Sequence, residues 1–217
     1  MTADALDRAR RTDDPTAKAA ATAEASLLTP VAKAFSTDMG IEVASTGVQV
    51  HGGMGYIEET GAAQHLRDAR IFAIYEGTNG IQAIDLVTRK LPQEGGDVVA
   101  KLIADYRSVG EAVAALNAPE FGRAGEQLAA AVDALGRATR VMLDWLSDEQ
   151  SANVLAGATP YLRLFARAAG GAYLARTALV LVARFFAEDL CPQALGLEAA
   201  VVSGGEAVLQ SEAALVL

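Results

Sequence analysis

One cysteine and two histidines are spread over 217 residues. A lone thiol cannot form an internal disulfide, so packing must hold the fold, and this fits a reducing, cytoplasmic setting. So few soft ligands also leave no sequence-local zinc pattern, and no metal is expected. Cys191 lies between Leu190 and Pro192 with no histidine beside it, and reads as a small apolar residue rather than a nucleophile. Basic charge is scarce too: 18 Lys and Arg against 27 Asp and Glu leave a net charge of −9, which argues against a nucleic-acid surface. The one basic run, at residues 8 to 11, reads as a solvated helix end. Long apolar runs are missing. The most apolar stretch, residues 177 to 183, is bounded by Arg176 and Arg184 and falls far short of the ~20 residues a membrane span needs. The opening MTADALDRARR has no apolar stretch of the signal-peptide kind. β-branched runs are few while alanine and leucine abound, so the expected class is all-α.

What the chain does have is a succession of helix signals. Residues 1–14 are charged and end at Asp13-Asp14-Pro15, a stop or hinge. Residues 16–27 are alanine-rich. Thr29 followed by Pro30 predicts a fresh helix start, with the hydroxyl as cap and proline in the first helical position. Val31, Phe35, Met39 and Val43 then recur every four residues, with Lys33, Asp38 and Glu42 between them, predicting an amphipathic helix to about His51. Gly52-Gly53-Met54-Gly55 breaks it. Thr60 is expected to cap a short helix through Leu66, and residues 67–77 read as an irregular loop. Thr78 or Asn79 caps the next helix, and Pro92 with Gly95-Gly96 ends that layer, dividing the chain into domains 1–94 and 95–217.

The second part reads as an up-and-down helical bundle. Val99, Leu102, Ile103, Tyr106, Val109 and Val113 form one stripe; Leu128, Ala131, Val132, Leu135, Met142, Trp145 and Leu146 form another. Thr159-Pro160 predicts a third start, followed by a helix apolar on most sides, with Tyr161, Phe165, Tyr173, Leu179, Val182 and Phe186. Leu195, Ala199, Val202 and Val208 mark the last apolar face, with a break at Gly204-Gly205. No site is apparent here; Arg163 and Arg167, four apart, read as a solvated edge or a seat for an acidic partner.

The residues that could carry chemistry lie between Gln49 and Leu91. Glu76 follows the apolar Ile71-Phe72-Ala73-Ile74 and precedes a helix start. Apolar surroundings would raise a carboxylate toward the range of a general base, whereas a helix N-terminus pulls the other way, so Glu76 is either a base or a helix-start acid. The Gly52–Gly55 cluster follows a helix, not a strand, and so is no Rossmann fingerprint. It is either a helix C-cap or a backbone surface that accepts a phosphate or ribose. Arg67, Asp68 and Arg70 read as a local ion-paired knot, and His51 as a capping or packing histidine rather than a proton carrier.

Order and spacing add to this. QVHGGMGY followed about ten residues later by LRDARIFAIYEGTNGIQ resembles the C-terminal helical domain of the flavin-dependent acyl-CoA dehydrogenases. The form YEGTNGIQAIDLVTRKL followed by a bundle of roughly 120 residues resembles the subgroup with a C-terminal extension. The resemblance implies that Glu76 is the base that takes the α-proton of an acyl-CoA thioester while hydride leaves the β-carbon for FAD. It implies that Gln49, Val50, His51, Gly52 and Gly53 touch the FAD of a neighbouring subunit. Thr78, Asn79 and Gly80 are implied as further FAD contacts, and Tyr75 and Gly77 as neighbours of the thioester. Asn79-Gly80 departs from the Ser-Glu or Ser-Gln of many members, which removes a side-chain contact at Gly80. An electron-transfer flavoprotein is the implied acceptor. The family's N-terminal helical and middle β-domains are absent from this sequence, so a homo-oligomer or a second polypeptide is expected to complete the site. The competing reading is a non-catalytic helical assembly or regulatory piece that keeps the motifs without binding flavin.

Overall fold

The computed structural model describes residues 1–116, 119–177 and 180–205. Every regular element among them is helical. Those of ten residues or more are α1 (Thr2–Arg11), α2 (Pro15–Val50), α4 (Ala62–Phe72), α6 (Asp97–Leu116), α7 (Ala124–Ser147), α8 (Ser151–Arg176) and α10 (Gln193–Val202); the shorter ones are α3 (Gly53–Tyr56), α5 (Asn79–Asp85) and α9 (Val180–Phe185). One cluster of buried residues runs from Leu27 to Val201, through both parts of the chain. The expected all-α class is what the chain adopts.

α2 starts where local chemistry says a helix should: Asp14 accepts a hydrogen bond from the Thr16 N–H at 3.0 Å, and Pro15 takes the first helical position. It does not stop at Thr29-Pro30. Pro30 sits inside a 36-residue helix, and the Thr29 hydroxyl donates back to the Ala25 carbonyl at 2.7 Å instead of capping anything. Interior proline costs about 3 kcal/mol. Burial of Leu27, Leu28, Val31 and Ala34 on the same stretch offsets it. Pro160 repeats the override inside α8, where Gly157, Ala158, Tyr161 and Leu162 are buried around it. Both predicted starts are therefore continuations.

Other expectations shift for equally local reasons. Arg67, Asp68 and Arg70 lie on α4, not in a loop. They do not form a knot among themselves: Arg67 donates to Gln64 Oε1 and pairs with Glu58 at 3.5 Å, while Asp68 accepts from Gln64 Nε2. Thr60 caps no helix; its hydroxyl donates to the Met54 and Ile57 carbonyls and closes the turn after α3.

In the second part the two expected stripes face inward, although Trp145 and Leu146 are only partly covered. α8 is the central helix, with Tyr161, Leu164, Phe165, Ala168 and Ala169 wholly buried. The Tyr161 hydroxyl meets Thr139 Oγ1 at 2.8 Å inside the core. Val182 is exposed, contrary to expectation, and Leu179 lies outside the described residues. α10 is turned from its expected register: Leu195, Ala199 and Val202 face water, while Ala194 and Val201 are buried and Leu197 packs against the core. Its faces differ little in hydrophobicity, so periodicity could not choose between them; Val208 lies outside the described residues. The two proline-ended segments share one device. A π-helical turn, Leu86–Lys90 or Phe186–Leu190, precedes Leu91-Pro92 or Cys191-Pro192.

Cys191 is 1% exposed, and its Sγ faces the Arg167 carbonyl at 3.6 Å. Burial pushes the thiol up to about 12, with Arg167 pulling weakly the other way. Thiolate is the reactive form, so the native thiol at pH 8 should react with a disulfide reagent roughly a hundredfold or more slower than the unfolded chain. Equal rates in the native and denatured states would contradict this packing. The glycine turn supplies a second test. A Cβ on Gly55 would overlap the Val48 carbonyl oxygen, whereas nothing lies within 4 Å of one on Gly53. Gly55→Ala should lower unfolding stability by about 1–3 kcal/mol in urea titration, and Gly53→Ala should not.

Candidate functional site

α2 reaches the core between Ala21 and Ala34, and its second half does not. From residue 35 to residue 82 only Gly55 and Ala73 are buried. Along this stretch large apolar side chains face water: Val50 is 78% exposed and Tyr56 82%. The second half of α2, with α3, α4 and the turn before α5, thus forms an arm whose inner packing is thin and whose outer surface carries exposed apolar side chains among polar ones.

Glu76 sits on the turn between α4 and α5, at φ 54°. Left-handed backbone costs a non-glycine residue roughly 1 kcal/mol or more. That strain is not diagnostic by itself, because Glu94 and Glu149 show it at ordinary helix-ending turns. The turn is braced across itself. The Glu76 carbonyl accepts from Gln82 Nε2 at 3.2 Å, and the Asn79 N–H donates across the turn to the Ala73 carbonyl at 3.1 Å. Gly77 follows at φ 84°, and a Cβ there would stand 3.0 Å from Gln82 Nε2, so the turn has room for glycine and little else. The Glu76 side chain is exposed, with Phe72, Ile74, Tyr75 and Ile81 about half exposed on the same turn and its flanking helices. The expected apolar surroundings are present but open to water.

Thr78 caps α5 as expected, its Oγ1 accepting from the Ile81 N–H at 3.3 Å. Its own hydroxyl hydrogen stays free to donate. Gly80 is open: the nearest atom to a Cβ there is Thr78 Oγ1 at 3.9 Å. Asn79 is different, because its side chain is turned to α2. Its Nδ2 faces Asp38 Oδ1 at 2.7 Å, Thr37 Oγ1 at 2.9 Å and the Ala34 carbonyl at 3.2 Å, while its Oδ1 accepts from Lys33 Nζ at 2.8 Å. The helical pattern of the sequence puts Lys33 and Asp38 on the polar side of a helix and assigns them nothing more. Their grouping with Thr37 at spacings of four and one, on a half-buried face, is the signal that singles them out.

Gln49, Val50, His51, Gly52 and Gly53 lie at the far end of α2, all exposed, with His51 Nδ1 2.8 Å from the Gly47 carbonyl. Asn79 meets α2 between Lys33 and Asp38, so at 1.5 Å per residue Gln49 stands roughly 20 Å farther along the axis. Tyr75, Glu76, Gly77, Thr78 and Gly80 are therefore brought together, and the glycine block is not brought to them. The two groups cannot grip the same end of a nucleotide. Beside the glycine block, Val48, Tyr56, Ile57 and Leu66 line an open groove of about 490 Å³. A larger hollow of about 600 Å³ lies between α1, α2, α6 and α8, with Arg8, Glu24, Asp105 and Tyr173 among its walls; Glu76 is not one of them. Among the described residues no group of acids, histidines or cysteines is placed to hold a metal, and no helix is long and apolar enough to cross a membrane.

Comparison with known proteins fits this anatomy. The family model for the acyl-CoA dehydrogenase C-terminal domain matches residues 5–91, and the acetyl-CoA dehydrogenase C-terminal-like model matches residues 99–183. The 3-methylmercaptopropionyl-CoA dehydrogenase of Ruegeria pomeroyi is 40% identical over 163 residues, 75% of this chain and 27% of that protein. The CarC subunit of the caffeyl-CoA reductase–Etf complex of Acetobacterium woodii is 44% identical over 62 residues, 29% of this chain and 15% of that protein. The crystal structure of Caenorhabditis elegans ACDH-11 in complex with C11-CoA shares the fold, with a TM-score of 0.63 at 18% identity, covering 93% of this chain and 32% of that one. The chain thus spans about a quarter to a third of the length of the relatives that match most of it. Two family models in tandem and long collinear identity lead to one conclusion: the chain belongs to the acyl-CoA dehydrogenase family, carrying its C-terminal helical domain and the helical extension of one subgroup.

Proposed function

We propose that this chain supplies the catalytic base of an FAD-dependent acyl-CoA dehydrogenase. The observation that carries the reading is Glu76 itself: an exposed carboxylate on a braced, left-handed turn, with half-exposed apolar side chains on the same turn and its flanking helices, in a protein of this family. In this role the Glu76 carboxylate takes the α-proton of the acyl thioester. Gly77 lets the thioester approach without a Cβ in the way, and Tyr75 covers one side of it. A thioester α-proton is weakly acidic, so the base must be held within hydrogen-bond reach and shielded from water.

The residues present fit a flavin nucleotide in two separate places. Gly52, Gly53 and Gly80 offer backbone with nothing within van der Waals contact of a would-be Cβ other than one hydroxyl, and Thr78 keeps a hydroxyl hydrogen to donate. Thr78 and Gly80 would hold FAD beside Glu76; Gln49, Val50, His51, Gly52 and Gly53 would meet a second FAD held mainly by a neighbouring subunit. Bound FAD would supply the hydride acceptor. The Asn79 side chain is committed to α2, so Asn79 serves the site through the position it gives Thr78 and Gly80. An electron-transfer flavoprotein is the acceptor we assign downstream, a reading supported by the relative named within an Etf complex. We divide the chain at residues 94 and 95, a boundary supported by the two family models falling on either side of it.

Combining the chain with a polypeptide that carries the N-terminal and middle domains of such an enzyme, FAD and a series of acyl-CoAs should bleach the flavin absorbance. Glu76→Gln should slow that bleaching by roughly 10²–10⁴-fold, the usual contribution of a positioned base, while acyl-CoA still binds. Equal bleaching by the substituted protein would remove Glu76 from the chemistry. The same reading requires that the open apolar arm be covered in the working enzyme. With Val43, Val50, Met54, Tyr56, Phe72 and Ile81 all exposed, the isolated chain should self-associate at micromolar concentration. A monomer by light scattering would count against it.

A further inference from the structure

The turn that presents Glu76 is held from outside its own stretch of sequence. Lys33, 44 residues upstream of Gly77, donates from Nζ to the Gly77 carbonyl at 2.8 Å and to Asn79 Oδ1 at 2.8 Å. Asp38, five residues farther along α2, accepts from Asn79 Nδ2 at 2.7 Å. The Asn79 amide therefore lies between a cation and an anion, with its oxygen toward the ammonium and its nitrogen toward the carboxylate. Charge at both ends fixes which way the amide points, and with it the start of α5. Asp38 then uses its other oxygen, Oδ2, to meet Arg163 of α8 at 3.5 Å.

We infer that Lys33 is a positioning residue for Glu76, and that Asp38 and Arg163 extend its support into the C-terminal bundle. The inference rests on the reading of Glu76 as the base. The physical need is specific. Glu76 and Gly77 are consecutive left-handed residues, so their carbonyls leave the helical hydrogen-bond ladder and must find other donors. Gln82 satisfies the first and Lys33 the second. Charge-assisted hydrogen bonds are roughly twice as strong as neutral ones, and Lys33 places two on the residues just after Glu76. The Asp38–Arg163 pair is more exposed, with side chains 36% and 51% accessible, and pairs of that kind contribute at most about 1 kcal/mol. Lys33 is thus the main tie and Arg163 an auxiliary one. Through Arg163 the C-terminal extension helps to brace the turn that carries the base.

Amide hydrogen exchange on the whole chain, followed residue by residue by NMR, tests this directly. The Asn79 amide, bonded across the turn to Ala73, should exchange roughly tenfold faster in Lys33→Met. Lys33→Arg, which keeps a charged donor, should restore part of the protection. Arg163→Leu should speed the same amide by only about two- to fivefold. The Leu135 amide in α7 should not change in any of them, which separates loss of the tie from loss of the fold. Asn79→Ala, which removes both the acceptor of Lys33 and the donor to Asp38, should speed exchange of the same amide and serves where Lys33→Met does not fold. Glu76→Gln should leave exchange unchanged, because the tie uses only the backbone of that residue. Unaltered Asn79 exchange in Lys33→Met overturns the inference whatever the flavin assay shows. An intact tie beside equal bleaching by Glu76→Gln overturns it differently, by leaving nothing catalytic to position. In the reconstituted enzyme, Lys33→Met should lower the rate of flavin reduction with little change in acyl-CoA affinity, and Lys33→Arg should recover it; equal reduction rates in Lys33→Met and wild type would also overturn it.

Discussion

The whole arrangement depends on α2 running unbroken through Pro30. Its stretch from Ala21 to Ala34 lies against the core, where Ala21, Ala25, Leu27, Leu28, Val31 and Ala34 are at most 3% exposed. Its second half leaves the core and carries the glycine block outward. At 1.5 Å per residue a 36-residue helix is about 54 Å long, so one rigid rod sets the separation of everything attached to it. A break at Pro30 would cut the arm from its foundation about one turn before Lys33, and the turn bearing Glu76 would lose its anchor. Packing of the buried stretch is therefore a condition for the site as well as for stability.

That dependence explains what could and could not be seen in the sequence. The stripes through Val99 to Val113 and Leu128 to Met142 were legible because helical periodicity is local and one face of each is clearly the more apolar. Thr29-Pro30 and Thr159-Pro160 misled because their start signal is local, whereas what carries the helix through is burial against distant elements. α10 was legible as a helix but not in orientation, since Leu195, Leu197, Val201 and Val202 leave no dominant face. At the site, Thr78 was legible as a cap because capping chemistry is written within four residues. The left-handed turn at Glu76 and its tie to Lys33 were not, because that contact spans 44 residues and depends on α4 folding back along α2. The loop expected over residues 67–77 failed for the same reason at shorter range: α4 persists to Phe72, and only the last few residues form the turn.

The separation along α2 also gives the arm a logic of its own. Glu76 and its neighbours stand beside the stretch of α2 that reaches the core, held by the hydrogen bonds of Lys33, Asn79 and Asp38. The glycine block stands at the free end, where open backbone and little packing favour contact with something outside the chain. On the proposed reading the two ends serve different flavins, and the rod between them converts one fold into a contributor to two sites. The large hollow lined by Arg8, Glu24 and Asp105 is on neither path, and its arginines are already satisfied within the chain: Arg8 by Asp4 and Glu24, Arg176 by Asp105.

The same apolar surface that makes the arm adhesive is what a glutamate base requires. Phe72, Ile74, Tyr75 and Ile81 each leave about half their area in water. Covering the remainder would contribute roughly 1 kcal/mol apiece, about 4 kcal/mol together. On the proposed reading, burial of this patch by a partner would also exclude water from around Glu76. On that reading, assembly and activation would be a single event: the covered patch would hold the partner in place, and the excluded water would leave Glu76 facing the substrate's α-proton.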